Sequence, residues 1–156
     1  MAIAPNTTFV ANTVLTAAQM NALPFGVVAF TNATSTITAT TTETVSITAS
    51  TFTAIANRYY KITYYESAIN IPAGVGANAT TKIRITNAAG TQLQAAQLFN
   101  VTANAQGWNS VTIAITTLPA GSTVIVGTAT VSTGTQSWYR SATIPAQIVV
   151  EDIGPA

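Results

Sequence analysis

The chain has 156 residues, only five Lys or Arg and four Asp or Glu, and no His or Cys. With 6% charged residues and a formal charge of +1, against about 25% charged in ordinary soluble domains, it lacks the basic footprint of a nucleic-acid binder. The missing residue types exclude disulfides, thiolate metal sites and most nucleophilic and proton-transfer chemistry, while charge depletion is characteristic of interface centres, so the composition points to an assembly component and not an enzyme.

Met1 to Thr8 lack the basic n-region and continuous apolar core of a secretory signal. At Leu15-Thr-Ala-Ala-Gln19, Thr16 is placed to cap a helix and Gln19 to complete a capping box, with Leu15 and Met20 as a hydrophobic staple. Pro24 ends the helix after about two turns, a length that is marginal in water without docking. Residues 1–30 therefore read as a leader and 31–156 as one β domain. Leu15, Thr16, Gln19, Met20, Leu23 and Phe25 are the candidate assembly contact, since each buried apolar side chain contributes roughly 1.5–3 kcal/mol. The expected arrangement is docking on another chain; the alternative is that the helix plugs the end of its own sandwich.

Mean hydropathy is +0.39, yet the longest strongly apolar stretch, Gly26 to Phe30, is about five residues where a membrane-spanning helix needs about 20. No membrane insertion is expected. Thr31 to Thr44 is a Thr, Ser and Ala run that reads as an edge strand or a linker. From Thr44 onward the pattern has period two. Thr44 to Phe52 turns Val45, Ile47 and Ala49 to one face; Thr81 to Thr86 turns Ile83 and Ile85 inward and Lys82 and Arg84 outward; Trp108 to Thr116 repeats this with Val111, Ile113 and Ile115. Arg58 to Ile69 is a longer aromatic strand, and Thr123 to Val131 and Gln147 to Glu151 add two more. Gln92 to Phe99 breaks alternation as a bulge would. Asn87-Ala-Ala-Gly90 suits a hairpin ending in a left-handed Gly, and Leu118-Pro-Ala-Gly121 suits a type I turn. About eight short antiparallel strands at this spacing, after one short helix, predict an all-β, jelly-roll-like sandwich.

Four carboxylates exist, Glu43, Glu66, Glu151 and Asp152. Glu151 and Asp152 are strand neighbours and point to opposite faces, so they cannot flank a sugar as a glycosidase pair must. Pairing Glu43 with Glu66 is the remaining hydrolytic option, and no catalytic, metal or cofactor site is expected. On the aromatic strand Tyr60, Ile62 and Tyr64 share the core face, while Tyr59, Lys61 and Tyr65 share the other. Tyr59, Tyr65, Trp138, Tyr139 and Arg140 are candidates for glycan or subunit contact, with core packing as the competing reading. Asn-x-Thr triplets begin at Asn6, Asn32, Asn78 and Asn100, as chance supplies in a chain rich in both residues.

Phe9-Val-Ala11, Leu15-Thr-Ala-Ala-Gln-Met-Asn-Ala-Leu-Pro24 and Gly26-Val-Val-Ala29 together resemble the opening of small structural proteins of tailed bacteriophages, where a virion-docking leader precedes a β domain. Arg58-Tyr-Tyr-Lys-Ile62 and Val149-Val-Glu-Asp-Ile-Gly-Pro155 resemble a strand and the closing tail of that domain in the same group. The resemblance implies a virion-surface protein, assembled in the host cytoplasm, with a jelly-roll or tumour-necrosis-factor-like sandwich and commonly trimeric. Its partners would be itself as a homotrimer and the major capsid or tail proteins, with no nucleic acid. Because no long shaft separates leader and β domain, head decoration is the expected role; a minor tail or fibre protein holding host surface glycan is the alternative.

Overall fold

In a computed structural model, which describes residues 14, 16–100 and 107–156, one short helix α1 (Ala17–Asn21) precedes the strands. These are β1 (Gly26–Ala33), β2 (Ile37–Thr40), β3 (Thr44–Thr48), β4 (Phe52–Ala54), β5 (Arg58–Ile69) and β6 (Ala77–Ile85). They continue as β7 (Gln92–Asn100), β8 (Trp108–Thr117), β9 (Gly121–Thr123), β10 (Ile125–Val131), β11 (Thr135–Trp138) and β12 (Ala146–Pro155).

The eight principal strands form two antiparallel four-stranded sheets, ordered β1-β12-β5-β8 and β3-β10-β6-β7, with β2–β11 and β4–β9 as short satellite ribbons. The pairings are nested: β6 with β7, β5 with β8, β3 with β10, β1 with β12. A long hairpin folded over on itself produces that nesting, and it is the jelly roll. The inner faces meet over Ile47, Tyr60, Ile62, Tyr64, Ile83, Ile125, Ile148 and Val150. A second cluster gathers Ile69, Ile71, Val131 and the fully buried Trp138, whose Nε1 donates to the Asn70 carbonyl at 3.1 Å.

β5 follows its alternation from Arg58 to Glu66, with Tyr60, Ile62 and Tyr64 buried, and breaks it where the β8 register shifts between Glu66 and Ile69. The Thr-rich run is strand on both sides of a short turn, and β1 runs through residue 30, pairing with β12 up to Ala33↔Ala146. The expected break between leader and domain therefore falls inside a strand. The bulge expected between Gln92 and Phe99 lies at Leu93, where the β6 register passes from Ile83↔Gln94 to Arg84↔Gln92.

Three local expectations are corrected. In β3 the register steps over Ser46, so that Ser46 turns inward and Val45 outward, because an extra residue in one strand shifts the phase of what precedes it. In the β6–β7 hairpin the left-handed residue is Thr86, at φ 71°, and Gly90 is required for space instead: a Cβ there would lie 1.7 Å from the Ile85 carbonyl oxygen. The third concerns β8. Ser110, Thr112 and Ala114 face the core, and Val111, Ile113 and Ile115 face out, 52%, 46% and 62% exposed. The inward hydroxyls are satisfied internally, with Thr81 Oγ1 on β6 at 2.9 Å from Ser110 Oγ and 2.8 Å from Thr112 Oγ1. Thr112 is also the cross-strand neighbour of the buried Tyr64, where a small side chain leaves room for a large one.

Gly127, in the middle of β10, marks how closely the two sheets approach. A Cβ there would stand 2.8 Å from Ile47 Cγ2 and 2.9 Å from the Tyr64 ring. Gly127→Ala is expected to lower the unfolding free energy by about 1–3 kcal/mol in denaturant titration; unchanged stability would mean that Ile47 and Tyr64 yield freely.

Candidate assembly surfaces

The leader is held at its exit by Arg58, the first residue of β5, whose phase on the strand places it inward with Tyr60. Its guanidinium donates to both Asp152 oxygens, at 2.5 and 2.6 Å, and also to the Asn21 carbonyl at 2.5 Å and the Leu23 carbonyl at 2.6 Å. The Asn21 carbonyl is one that the end of α1 leaves without a helical partner, and Leu23 lies just past the Ala22 C-cap. The Phe25 ring lies over the guanidinium, 4.0 Å from ring centroid to Cζ, and the Phe25 N–H reaches Asp152 Oδ1 at 3.5 Å. Burial works to raise the Asp152 carboxyl, but hydrogen bonds from Arg58 and the Gly154 N–H outweigh it and hold the group below its ordinary range. The Asp152 hydrogen bond in turn raises Arg58.

Upstream of this clasp α1 stands out from the sandwich. The Thr16–Gln19 capping box is present, Gln19 N–H donating to Thr16 Oγ1 at 3.2 Å and Thr16 N–H to Gln19 Oε1 at 2.9 Å. No residue of α1 is buried; Met20 and Phe25 are largely exposed and Leu23 half-buried. Leu15, and with it the expected staple, lies outside the described residues. A cavity of about 340 Å³ opens beside the clasp between Phe25, Ile55, Arg58 and Pro155. Its one charged group is already committed to Asp152.

A second ion pair lies at the centre of the molecule. Arg140 donates to Glu66 Oε1 at 2.8 Å and Oε2 at 2.5 Å, to the Ser46 carbonyl at 3.0 Å and to Ser46 Oγ. Tyr64 Oη donates to Glu66 Oε2 at 2.7 Å. Burial foremost, then the Glu66 charge, pushes the Tyr64 hydroxyl well up, so it stays a donor; burial opposes the charge on Arg140, but Glu66 more than compensates and raises it. The bulge in β3 is what delivers Ser46 to this cluster. Sequence reading missed both buried pairs, although Arg58 and Glu66 share the core phase of β5 and a charge in that phase demands a partner.

The other charges are paired as well. Glu43 accepts from Lys82 at 2.7 Å, from Arg84 at 2.5 and 2.9 Å and from Thr128 Oγ1 at 2.6 Å, and Lys61 bonds Glu151 at 3.0 Å. Every one of the nine charged side chains thus has an opposite partner inside the subunit, with Lys82 and Arg84 sharing Glu43, so that this cluster keeps the one net positive charge. Glu151 and Asp152 do face opposite ways, one to Lys61 outside and one to Arg58 inside.

The remaining candidates separate. Trp138 and Arg140 are core residues, buried by the second cluster and by Glu66, so neither is available to glycan or to a neighbouring subunit; Tyr139 between them is 53% exposed. Tyr59 and Tyr65 are half-buried on the outer face of the β1-β12-β5-β8 sheet. That face is apolar along β8 and mixed on the inner strands: the cross-strand row Phe30–Val149–Thr63–Ile113 lies between Asn32–Gln147–Tyr65–Val111 on one side and Val27–Glu151–Lys61–Ile115 on the other. The β8 register also brings Ile113 and Ile115 to this surface, which the expected inward orientation had concealed.

The chain matches no protein-family model and no curated protein.

Arg140→Leu is expected to cost about 3–5 kcal/mol in chemical denaturation at neutral pH, because it strands the Glu66 carboxylate in the core; a loss below 1 kcal/mol would contradict a buried charge pair. Acid stability has a defined window. Burial works to raise Glu43, but hydrogen bonds from Arg84, Lys82 and Thr128 bring it from the ordinary 4.5 down to about 2. A carboxylate with a depressed folded pKa contributes stability that is fully present above about pH 4.5 and lost as pH falls toward about 2. Thermal melts between pH 7 and 2 should show this acid limb, and Glu43→Gln should flatten it; an identical limb in the variant would assign the loss elsewhere.

Proposed function

We propose that the chain is a non-enzymatic structural protein of a tailed-phage virion, an oligomer that decorates and stabilises the particle surface and is fastened there by its N-terminal leader. The carrying observation is the combination of complete internal charge pairing with a dry outer sheet face. A free soluble monomer ordinarily keeps its exterior charged and free of large apolar patches, and this exterior is the reverse. The exposed Met20, upstream of a clasp that fixes where the leader leaves the sandwich, and the half-exposed Phe25 within that clasp support a docking role for residues 16–25. All four carboxylates are held by cations, which leaves a hydrolytic reading without a free acid and base. Homotrimer assembly and a virion location are carried by the resemblance of the leader, of Arg58 to Ile62 and of Val149 to Pro155.

A second reading, a minor tail or fibre protein that holds host glycan, is favoured by Tyr139 alone among the nominated aromatics, since an exposed ring can stack on a sugar. Cryo-microscopy of intact particles discriminates the two: repeated lattice positions on the head are expected, and density at the tail tip alone would favour the second. Removing residues 1–20, which leaves the Arg58 contacts to Asn21 and Leu23 in place, should abolish incorporation into particles while the melting temperature of the sandwich changes little. Undiminished incorporation would refute the leader as the fastening element.

A further inference from the structure

The two outer faces of the sandwich are chemically unlike. On the β3-β10-β6-β7 sheet the outward side chains include Lys82 and Arg84 on Glu43, and Gln97 donating to Thr80 Oγ1 at 3.1 Å. On the β1-β12-β5-β8 sheet the outward rows are Phe30–Val149–Thr63–Ile113, Asn32–Gln147–Tyr65–Val111 and Val27–Glu151–Lys61–Ile115, with an exposed apolar residue of β8 in every row. The drier face includes an end strand of its sheet, β8, which turns its β-branched side outward and its hydroxyls inward. A long, apolar end strand of this kind is a site of further pairing or packing unless something covers it.

We infer that this face is covered by a second copy of this chain, the copies packing through the β8 and β5 side chains; the inference rests on the oligomeric role proposed above and names its surface. Charge selects the occupant. Lys61 and Glu151 sit on this face 3.0 Å apart and neutralise each other, and every other charge is paired elsewhere in the subunit. An anionic membrane, a nucleic acid or a charged protein would find no complement here, whereas a second copy brings an equally neutral, equally dry surface and leaves no charge unmatched. Extent agrees with this. Four strands spaced about 4.8 Å apart, with the ten residues of β8 rising about 3.3 Å each, give a footprint on the order of 600 Å², close to the roughly 800 Å² per partner of a standard interface. Tyr65, half-buried beside Val111, supplies an aromatic anchor of the type that interfaces favour.

The test uses the full chain. Light scattering should give a multiple of the subunit mass, and hydrogen–deuterium exchange should slow in β8 and β5 as concentration rises while β7 is unaffected. Ile113→Glu, at a side chain exposed in the single subunit, should weaken association at least about tenfold with an unchanged circular dichroism spectrum, and Gln94→Glu on β7 should not. An oligomer that survives Ile113→Glu and shows no concentration-dependent protection in β8 would overturn this face and leave the oligomeric reading standing. A wild-type chain that stays monomeric at every concentration would overturn both. Should Ile113→Glu fail to fold, the exchange measurement on the wild-type chain decides alone.

Discussion

Arg140 and Glu66 meet in the buried interior of the sandwich beside Tyr64 and Ser46, and this pair holds three separate elements together. The pair ties the segment after β11 to β5 and to the bulge of β3. Removing one partner from such a site costs far more than the pair itself contributes, since an unmatched charge would remain in a low-dielectric interior. The same logic extends outward. Arg58 and Asp152 bind the leader to the last strand, and Glu43 joins the segment before β3 to Lys82 and Arg84 on β6. In a chain with so few ions, each one closes a link between distant segments, and none remains to face solvent alone.

That use of charge explains the character of the exterior. One outer face retains polar groups around Glu43, and the other is left to β-branched and aromatic side chains with one self-neutral pair. The inverted orientation of β8 follows from packing. Small hydroxyl residues inside leave space for the Tyr64 ring and satisfy Thr81, and the apolar side of the strand then has only the outside to face. Burying Val111, Ile113 and Ile115 therefore needs a surface that the described residues of the subunit do not supply. The leader has a related geometry. The Arg58 clasp fixes where Asn21 and Leu23 leave the sandwich, so the exposed Met20 is presented from a fixed point and not from a freely swinging tail.

Much of the architecture was legible because period two survives even in a Thr-rich chain. β5 and β6 alternate as expected, the capping box of α1 is present, and the irregularity near Leu93 is a bulge. What periodicity does not supply is the sign of a face. The pattern of β8 separates its two sides but does not say which one goes inside, and the usual assumption that the apolar side does was wrong there. The Ser46 bulge was hidden for a different reason: a single residue out of phase in a five-residue strand leaves no repeat to violate. For Trp138 and Arg140 contact surface and core are equal alternatives in the sequence, because β11 is too short to carry a period and Arg140 lies beyond it, and only their hydrogen bonds to Asn70 and Glu66 reveal them as core. The buried Arg58 and Glu66 were readable in principle from their phase on β5.

The central claim is that copies associate through apolar surface because every charged side chain already has an opposite partner within its own subunit. Sedimentation velocity of the full chain across a salt series tests it most directly. Ion pairs between exposed groups are screened within about 8–10 Å at physiological ionic strength and within about 3 Å at 1 M salt, whereas apolar contact is not weakened. The account predicts an oligomer whose association holds or tightens from low salt to 1 M sodium chloride. Dissociation into subunits as salt rises would contradict it, since that would place unpaired charge at the contact.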